Sequence, residues 1–257
     1  MSANGTPTFD LALVLLYLFF AAFFVLILWL NRESKREGYP LVSDRWGRKR
    51  YAIEGFPAMP PKKHFLLANP APGHDDDRPE RDLSAIAYGV DDQPGSPIVA
   101  RGNAMVDGIG PAAWAERADV PDLTFDDNAP KIVPLRAAPG YDTAEEGPDP
   151  RGKPVVTLDG KVAGTCVDLW VDKSEALFRY LEVEVATTGR RVLVPMFLAT
   201  ISDTGRVKVV SVTAEQLAIA PGLKHPETVT LLEEDKVAAY FGGGHFFATP
   251  ERSEPFA

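Results

Sequence analysis

LWVDKSEALFRYLEVEV, residues 169–185, places two apolar runs on either side of a short charged turn. In the second run Leu181, Val183 and Val185 point one way and Glu182 and Glu184 the other. A period of two in a stretch rich in valine and aromatic residues specifies strands, so the segment predicts a β-hairpin. The turn carries Asp172, Lys173 and Glu175, and Arg179 follows. Taken locally, those carboxylates are solvated turn residues, the usual fate of exposed charge. Glu182 and Glu184 fall on the polar side of the alternation.

The chain around the hairpin continues the same pattern. VVTL (155–158) leads through Asp159-Gly160 into KVAGTCVDLWV, where Val167, Leu169 and Val171 alternate with Cys166, Asp168 and Trp170. TTGR and SDTGR then turn the chain into RVLVPMF and VKVVSV. Short strands at close spacing predict a small antiparallel barrel. After it, Thr230 and Glu233 form a capping box for a helix over LLEEDKVAAYF, with Gly242 to Gly244 expected to stop it.

The other end of the chain is of a different kind. LALVLLYLFFAAFFVLILWL, residues 11–30, has twenty residues and no charge. At ~1.5 Å per residue that is roughly 30 Å of helix, the thickness of a bilayer's hydrocarbon core. No basic stretch precedes it and no small-residue cleavage site follows, which sets a membrane helix above a secretory signal. Arg32, Lys35, Arg36, Arg45, Arg48, Lys49 and Arg50 all follow it and no Lys or Arg precedes it. The positive-inside rule therefore expects residues 1–10 outside and everything beyond residue 30 in the cytoplasm. Arg32, Lys35 and Arg36 are candidates for contact with anionic lipid headgroups.

Between these ends, residues 51–150 hold 15 of the 23 prolines, which excludes long helices and interior strands. Phe56, Phe65, Leu66, Leu67, Ile86, Tyr88, Ile109, Trp114 and Leu135 are interleaved with them. The expectation is an extended, ordered segment that buries these side chains on its own domain or on a partner.

Composition and motifs exclude most chemistry. From residue 51 onward 20 Lys/Arg stand against 32 Asp/Glu, a net of −12, so a nucleic-acid partner is not expected. One cysteine, Cys166, rules out an internal disulfide and a cysteine-based zinc site, and its place in a strand pattern makes it a packing residue. There is no P-loop, dinucleotide fingerprint or nucleophile elbow. HDDD at 74–77 is a polar loop rather than a metal site, and no metal is expected. Acidic groups remain: the turn pair, and Asp119, Asp122, Asp126 and Asp127 in DVPDLTFDDNAPK.

Four blocks taken together carry a resemblance. REGYPL after the membrane helix, DGIGPAAWAERADVPDL (107–123), VDLWVDKSEALFRYLEVEV and TVTLLEEDKVAAYFGGG follow one another in order along nearly the whole chain. In this they resemble the H subunit of the purple bacterial photosynthetic reaction centre, and the β region resembles its PRC-barrel domain. The resemblance implies a single transmembrane helix plus a mainly β cytoplasmic domain, a small antiparallel PRC-type barrel with an extended proline-rich segment and a C-terminal helix. The boundaries are a periplasmic terminus (1–10), the span (11–30), a basic juxtamembrane segment (31–50), the proline-rich segment (51–150) and the β domain (151–257).

It further implies a non-catalytic subunit of the bacterial inner (intracytoplasmic or chromatophore) membrane. Such a subunit caps the L and M subunits, surrounded by light-harvesting antenna. Bacteriochlorophyll, bacteriopheophytin, a ubiquinone-type quinone and non-haem iron are then held by L and M, none by this chain alone. Reduction of the secondary quinone consumes protons, and by position Asp172 and Glu175 match carboxylates of the proton relay, with Arg179 the arginine beside them. Well-studied members carry two histidines in the loop aligned with TFDDNAPK, where protons enter. Here the loop has none, so Asp126 and Asp127, with Asp122 nearby, are the expected uptake point. A competing expectation is a membrane-anchored PRC-barrel adaptor of an unrelated complex, which leaves REGYP and DGIGPAAW unexplained. A membrane-tethered hydrolase has only the carboxylates behind it.

Overall fold

The computed structural model describes residues 10–42, 51–65, 73–74 and 81–253. Arg45, Arg48, Lys49 and Arg50 of the basic collar, Leu66 and Leu67, the aspartates of HDDD and the first nine residues lie outside the described residues. The chain divides into two compact units, residues 1–77 with 92–96, and residues 78–91 with 97–257.

In the first unit, α1 (Leu11–Ser34) starts where the Asp10 carboxylate accepts the Leu13 N–H at 3.1 Å. Its 24 residues make ~36 Å of helix, an 18-residue window of which has a mean hydropathy of 3.0, and its apolar side chains are exposed nearly throughout. Such a helix is long and apolar enough to cross a membrane. Just past its end Lys35 turns inward and is only 7% exposed. Its ammonium donates to the carbonyls of Glu54 and Pro57, both at 2.6 Å, and stands 5.1 Å from the Tyr39 ring. Arg36 donates to the Pro61 carbonyl and pairs with Glu33 at 2.7 Å. Two short antiparallel pairs complete the described part: β1 (Leu41–Val42) with β2 (Ala52–Ile53), and β3 (His64–Phe65) with β4 (Gly73–His74).

In the second unit, β5 (Ala87–Gly89) and β6 (Ile98–Ala100) form a hairpin leading to α2 (Ala104–Asp107). α2 ends at Gly108 in the left-handed region, and the Trp114 ring lies where a Cβ on Gly108 would fall. Arg81 clamps this turn: it donates to the Asp107 and Gly108 carbonyls while its guanidinium stacks 4.0 Å from the Trp114 ring. The proline-rich segment thus buries Ile109 and Leu135, whereas Phe56 (85% exposed), Phe65 and Tyr88 stay exposed.

Seven strands form the sheet: β7 (Ile132–Pro134), β8 (Pro154–Val156), β9 (Val162–Asp172), β10 (Leu177–Val185), β11 (Arg191–Pro195), β12 (Ala199–Ile201) and β13 (Val207–Val209). Their order is β11-β10-β9-β8-β13-β12, with β7 also on β9; every pair is antiparallel except β8 with β13. β7 comes from the proline-rich segment. Val155, Leu169, Val171, Leu181, Val183, Val185, Val194 and Val207 build the core with Leu217 of α3 (Ala214–Ala218) and Val237 and Phe241 of α4 (Leu231–Phe247). Each such burial is worth about 1.5–3 kcal/mol against exposure.

Two expectations about this unit are corrected. The strand alternation breaks at a bulge in β9, because Glu182 faces Asp168 while Val183 faces Cys166, leaving Val167 as the extra residue. Cys166 therefore shares the core face of Leu169 instead of the face of Asp168 and Trp170. The capping box of Thr230 and Glu233 is present, but Gly242 to Gly244 do not end the helix, which runs on to Phe247. A Cβ on Gly243 would fall 2.5 Å from that of Ala112, and one on Gly244 would land on the Ser211 carbonyl. These glycines let the helix backbone approach its neighbours closely.

Candidate functional site

The turn between β9 and β10 collects charge from three stretches of chain. Asp172 closes β9 with a fully buried side chain. One of its oxygens accepts the backbone N–H groups of Ser174 (3.0 Å) and Glu175 (3.1 Å), which folds the turn. Ala176 completes it at φ 52, a left-handed conformation unusual for a residue with a side chain. The other oxygen faces Arg179 at 3.3 Å and the Lys131 ammonium at 3.5 Å.

Arg179 reaches Asp172 because of a second bulge. Phe178 pairs with Val171 and Tyr180 with Trp170, so Arg179 is the unpaired extra residue of β10. A bulge re-aims its side chain, and here the guanidinium swings back over the turn. It meets Asp172 and, at 2.9 Å, Glu175, whose side chain is 47% exposed. Lys131 arrives through β7, which pairs Ile132 with Asp172, while the Lys173 N–H donates to the Lys131 carbonyl. Its ammonium lies 3.8 Å from Glu175 and 3.7 Å from Asp122. Two cations thus span three carboxylates.

The structure brings Asp172, Glu175, Arg179 and Asp122 together and treats the loop aspartates differently. Asp127 is turned into its own loop, accepting the Thr124 hydroxyl and the Ala129 N–H at 3.2 Å. The hydroxyl first, then the N–H, hold its carboxyl below the usual carboxylate range. Asp126 is exposed beside the fully presented Phe125. Asp119 caps elsewhere, pairing with Lys224 and accepting the Thr230 hydroxyl at 2.9 Å. At the C-terminal end of α1, Arg32 is exposed, while Lys35 and Arg36 are bound as described above.

Sequence reasoning missed Lys131 and misplaced Glu182. Glu182 is 3% exposed and accepts the Trp170 indole N–H (2.9 Å), Arg136 (2.5 Å) and Arg191 (3.1 Å). Arg136 also bonds the neighbouring buried Asp168 at 2.9 Å. Burial works against the Arg136 charge, but these two carboxylates outweigh it. Glu182, Trp170, Arg191, Leu193, Leu223 and Lys224 line a cavity of about 190 Å³. Glu184, by contrast, is exposed, as the alternation implied. Among the described residues no group of three His, Cys, Asp or Glu side chains is placed to hold a metal ion.

Residues 3–137 match the family model of the photosynthetic reaction centre, H-chain N-terminal region, and residues 142–217 match that of the PRC-barrel domain.

Proposed function

The chain belongs to the photosynthetic reaction-centre H-chain family, and on that premise we propose that it caps the L and M subunits and conducts protons to their secondary quinone. Membership makes it a structural subunit of a complex whose cofactors lie in L and M, and the apolar α1 fits a membrane anchor. The matched region includes REGYPL and DGIGPAAW, the blocks that an unrelated adaptor leaves unexplained. Capping faces the L and M subunits from the cytoplasm, stabilises them and keeps water from the quinones. The exposed Phe197 offers an aromatic anchor of the kind such an interface uses. At the membrane surface the anionic-lipid contact falls chiefly to exposed Arg32, with the positive flank setting the cytoplasmic orientation.

The observation that carries the relay is the sharing of Arg179 and Lys131 between Asp172 and Glu175. A proton arriving on one carboxylate leaves the shared cations facing the other, so no charge is stranded in the fold. Glu175 is the half-exposed member that meets incoming protons, and Asp172 is the buried one. Asp126 and Asp127, with Asp122 nearby, collect protons at the surface, Asp127 while also bonded within its own loop. The test is Glu175→Gln in the assembled complex under two successive flashes. Primary charge separation stays unchanged, and proton-coupled reduction of the secondary quinone after the second flash slows. Unchanged second-flash kinetics would reduce Glu175 to a turn residue.

A further inference from the structure

Strands β1 and β2 form a two-stranded sheet of their own. Such a pair is marginal in water unless it lies against another surface. Leu41 stands opposite Ile53 across the pair, so their side chains share one face, and they are 51% and 62% exposed. Phe56 follows three residues after Ile53 and is presented almost completely.

The depth of this hairpin indicates what covers it. Residues 11–30 fill ~30 Å, the thickness of the hydrocarbon core. Lys35 comes five positions after Leu30, ~7 Å further at the helical rise. The headgroup layer beyond the core is roughly 5–8 Å deep on each side, so Lys35 stands at its outer edge. The Lys35 ammonium holds the carbonyls of Glu54 and Pro57, which lie on either side of Gly55 and Phe56. The end of β2 and the turn bearing Phe56 are thereby fixed at headgroup level. Segments at that level bury their apolar side chains in the boundary between headgroups and acyl chains.

Charge points to the same surface. Residues 31–65 carry nine Lys/Arg against four Asp/Glu, in a chain whose net charge is −9. A positive island that also presents isoleucine, leucine and phenylalanine matches anionic headgroups over hydrocarbon.

We propose that the β1–β2 pair and Phe56 form a foot in the headgroup–acyl boundary of an anionic bilayer, with Leu41, Ile53 and Phe56 set into it and Lys35 as its strut. The proposal rests on α1 as the membrane anchor and goes beyond the headgroup contact of Arg32. A lone helix is free to turn about its own axis in the bilayer. A second, off-axis contact tied to its end removes that freedom and fixes the direction in which the chain leaves the membrane.

The experiment uses the assembled complex in vesicles of phosphatidylcholine and phosphatidylglycerol. Nitroxide labels are placed on Ile53→Cys, Phe56→Cys or Phe24→Cys, each with Cys166→Ala. Power saturation reads their collisions with oxygen, which concentrates in hydrocarbon, and with a nickel chelate, which stays in water. Labels at 53 and 56 are expected to lose nickel collisions and keep oxygen collisions. Nickel collisions at 53 and 56 place the face in water and overturn the foot. Loss of both kinds means that a protein partner covers the face, which overturns it equally. Nickel collisions at 24 would overturn the anchor itself, so the two failures are distinguishable. Adding Lys35→Met, which removes the donors and keeps the apolar stem, should raise nickel collisions at 53 and 56 and leave 24 unchanged. Unmoved values at 53 and 56 would overturn the strut.

Discussion

Removing the Glu182 carboxylate should cost far more than a polar strand position suggests, and the structure sets the amount. In Glu182→Leu the Trp170 indole N–H, fully buried, loses the acceptor at 2.9 Å. An orphaned buried donor costs about 2 kcal/mol. Arg136 loses its 2.5 Å bond but keeps Asp168 and the Pro226 carbonyl and is one-third exposed, so its share is only about 1 kcal/mol. Arg191 is half exposed and turns to water or Glu184. The leucine has room beside the cavity, and its burial returns about 1 kcal/mol. The net loss is about 2 kcal/mol, whereas Glu182→Gln, which keeps an acceptor for the indole, loses about 1. A double-mutant cycle with Trp170→Phe isolates the indole contribution, because the double variant has no N–H to orphan. Urea unfolding of the full chain in detergent, followed by circular dichroism, should give a coupling of about 2 kcal/mol. Coupling below about 0.5 kcal/mol would mean that water satisfies the indole and that the burial argument is wrong.

Three further outcomes follow from other parts of the fold. Gly244→Ala should destabilise by about 2 kcal/mol because its methyl meets the Ser211 carbonyl, while Gly242→Ala, with open space around it, should be neutral or slightly stabilising; equal melting temperatures would refute the close approach. The Cys166 thiol is pushed up to about 12, by burial first and then by the charges of Asp149 and Asp168. At pH 8 roughly one thiol in ten thousand is then thiolate, so alkylation should be slow in the folded chain and fast in urea. Similar rates in both states would contradict that environment. Burial raises the carboxyl of Glu234, in the first turn of α4, so between its ordinary value of 4.5 and its raised value the folded state holds more protons. Its contribution is therefore intact below 4.5 and declines as pH rises through that window. Glu234→Gln should remove this part of the stability–pH slope, and parallel curves for variant and parent would count against it.

The parts of this fold that were readable in the sequence are those in which one residue's neighbours in the chain decide its environment. The uncharged run 11–30, the period-two strands and the Thr230–Glu233 capping box are of that kind. The bulges at Val167 and Arg179 are not, because an extra residue exists only relative to a partner strand. Glu182 looked solvated because the arginine that covers it lies 46 residues earlier. Lys131 joined the site through β7, a three-residue strand that the surrounding prolines concealed. The glycine run misled for another reason. The same residue serves to end a helix and to admit a close neighbour, and only the Ser211 and Ala112 contacts distinguish the two.

The inward-facing Lys35 has a practical consequence for anyone wishing to cut the anchor from this chain. A soluble version beginning after the apolar run would seem to need only the residues beyond Leu30. Yet the carbonyls of Glu54 and Pro57 both converge on the Lys35 ammonium, and Arg36 holds the carbonyl of Pro61. A start placed beyond Arg36 would strip three acceptors of their donors and let the turn around Gly55 open. Lys35 and Arg36, just past the end of α1, belong structurally to the segment that follows, and Arg36 is in turn paired with Glu33, so the safe cut lies upstream of Glu33.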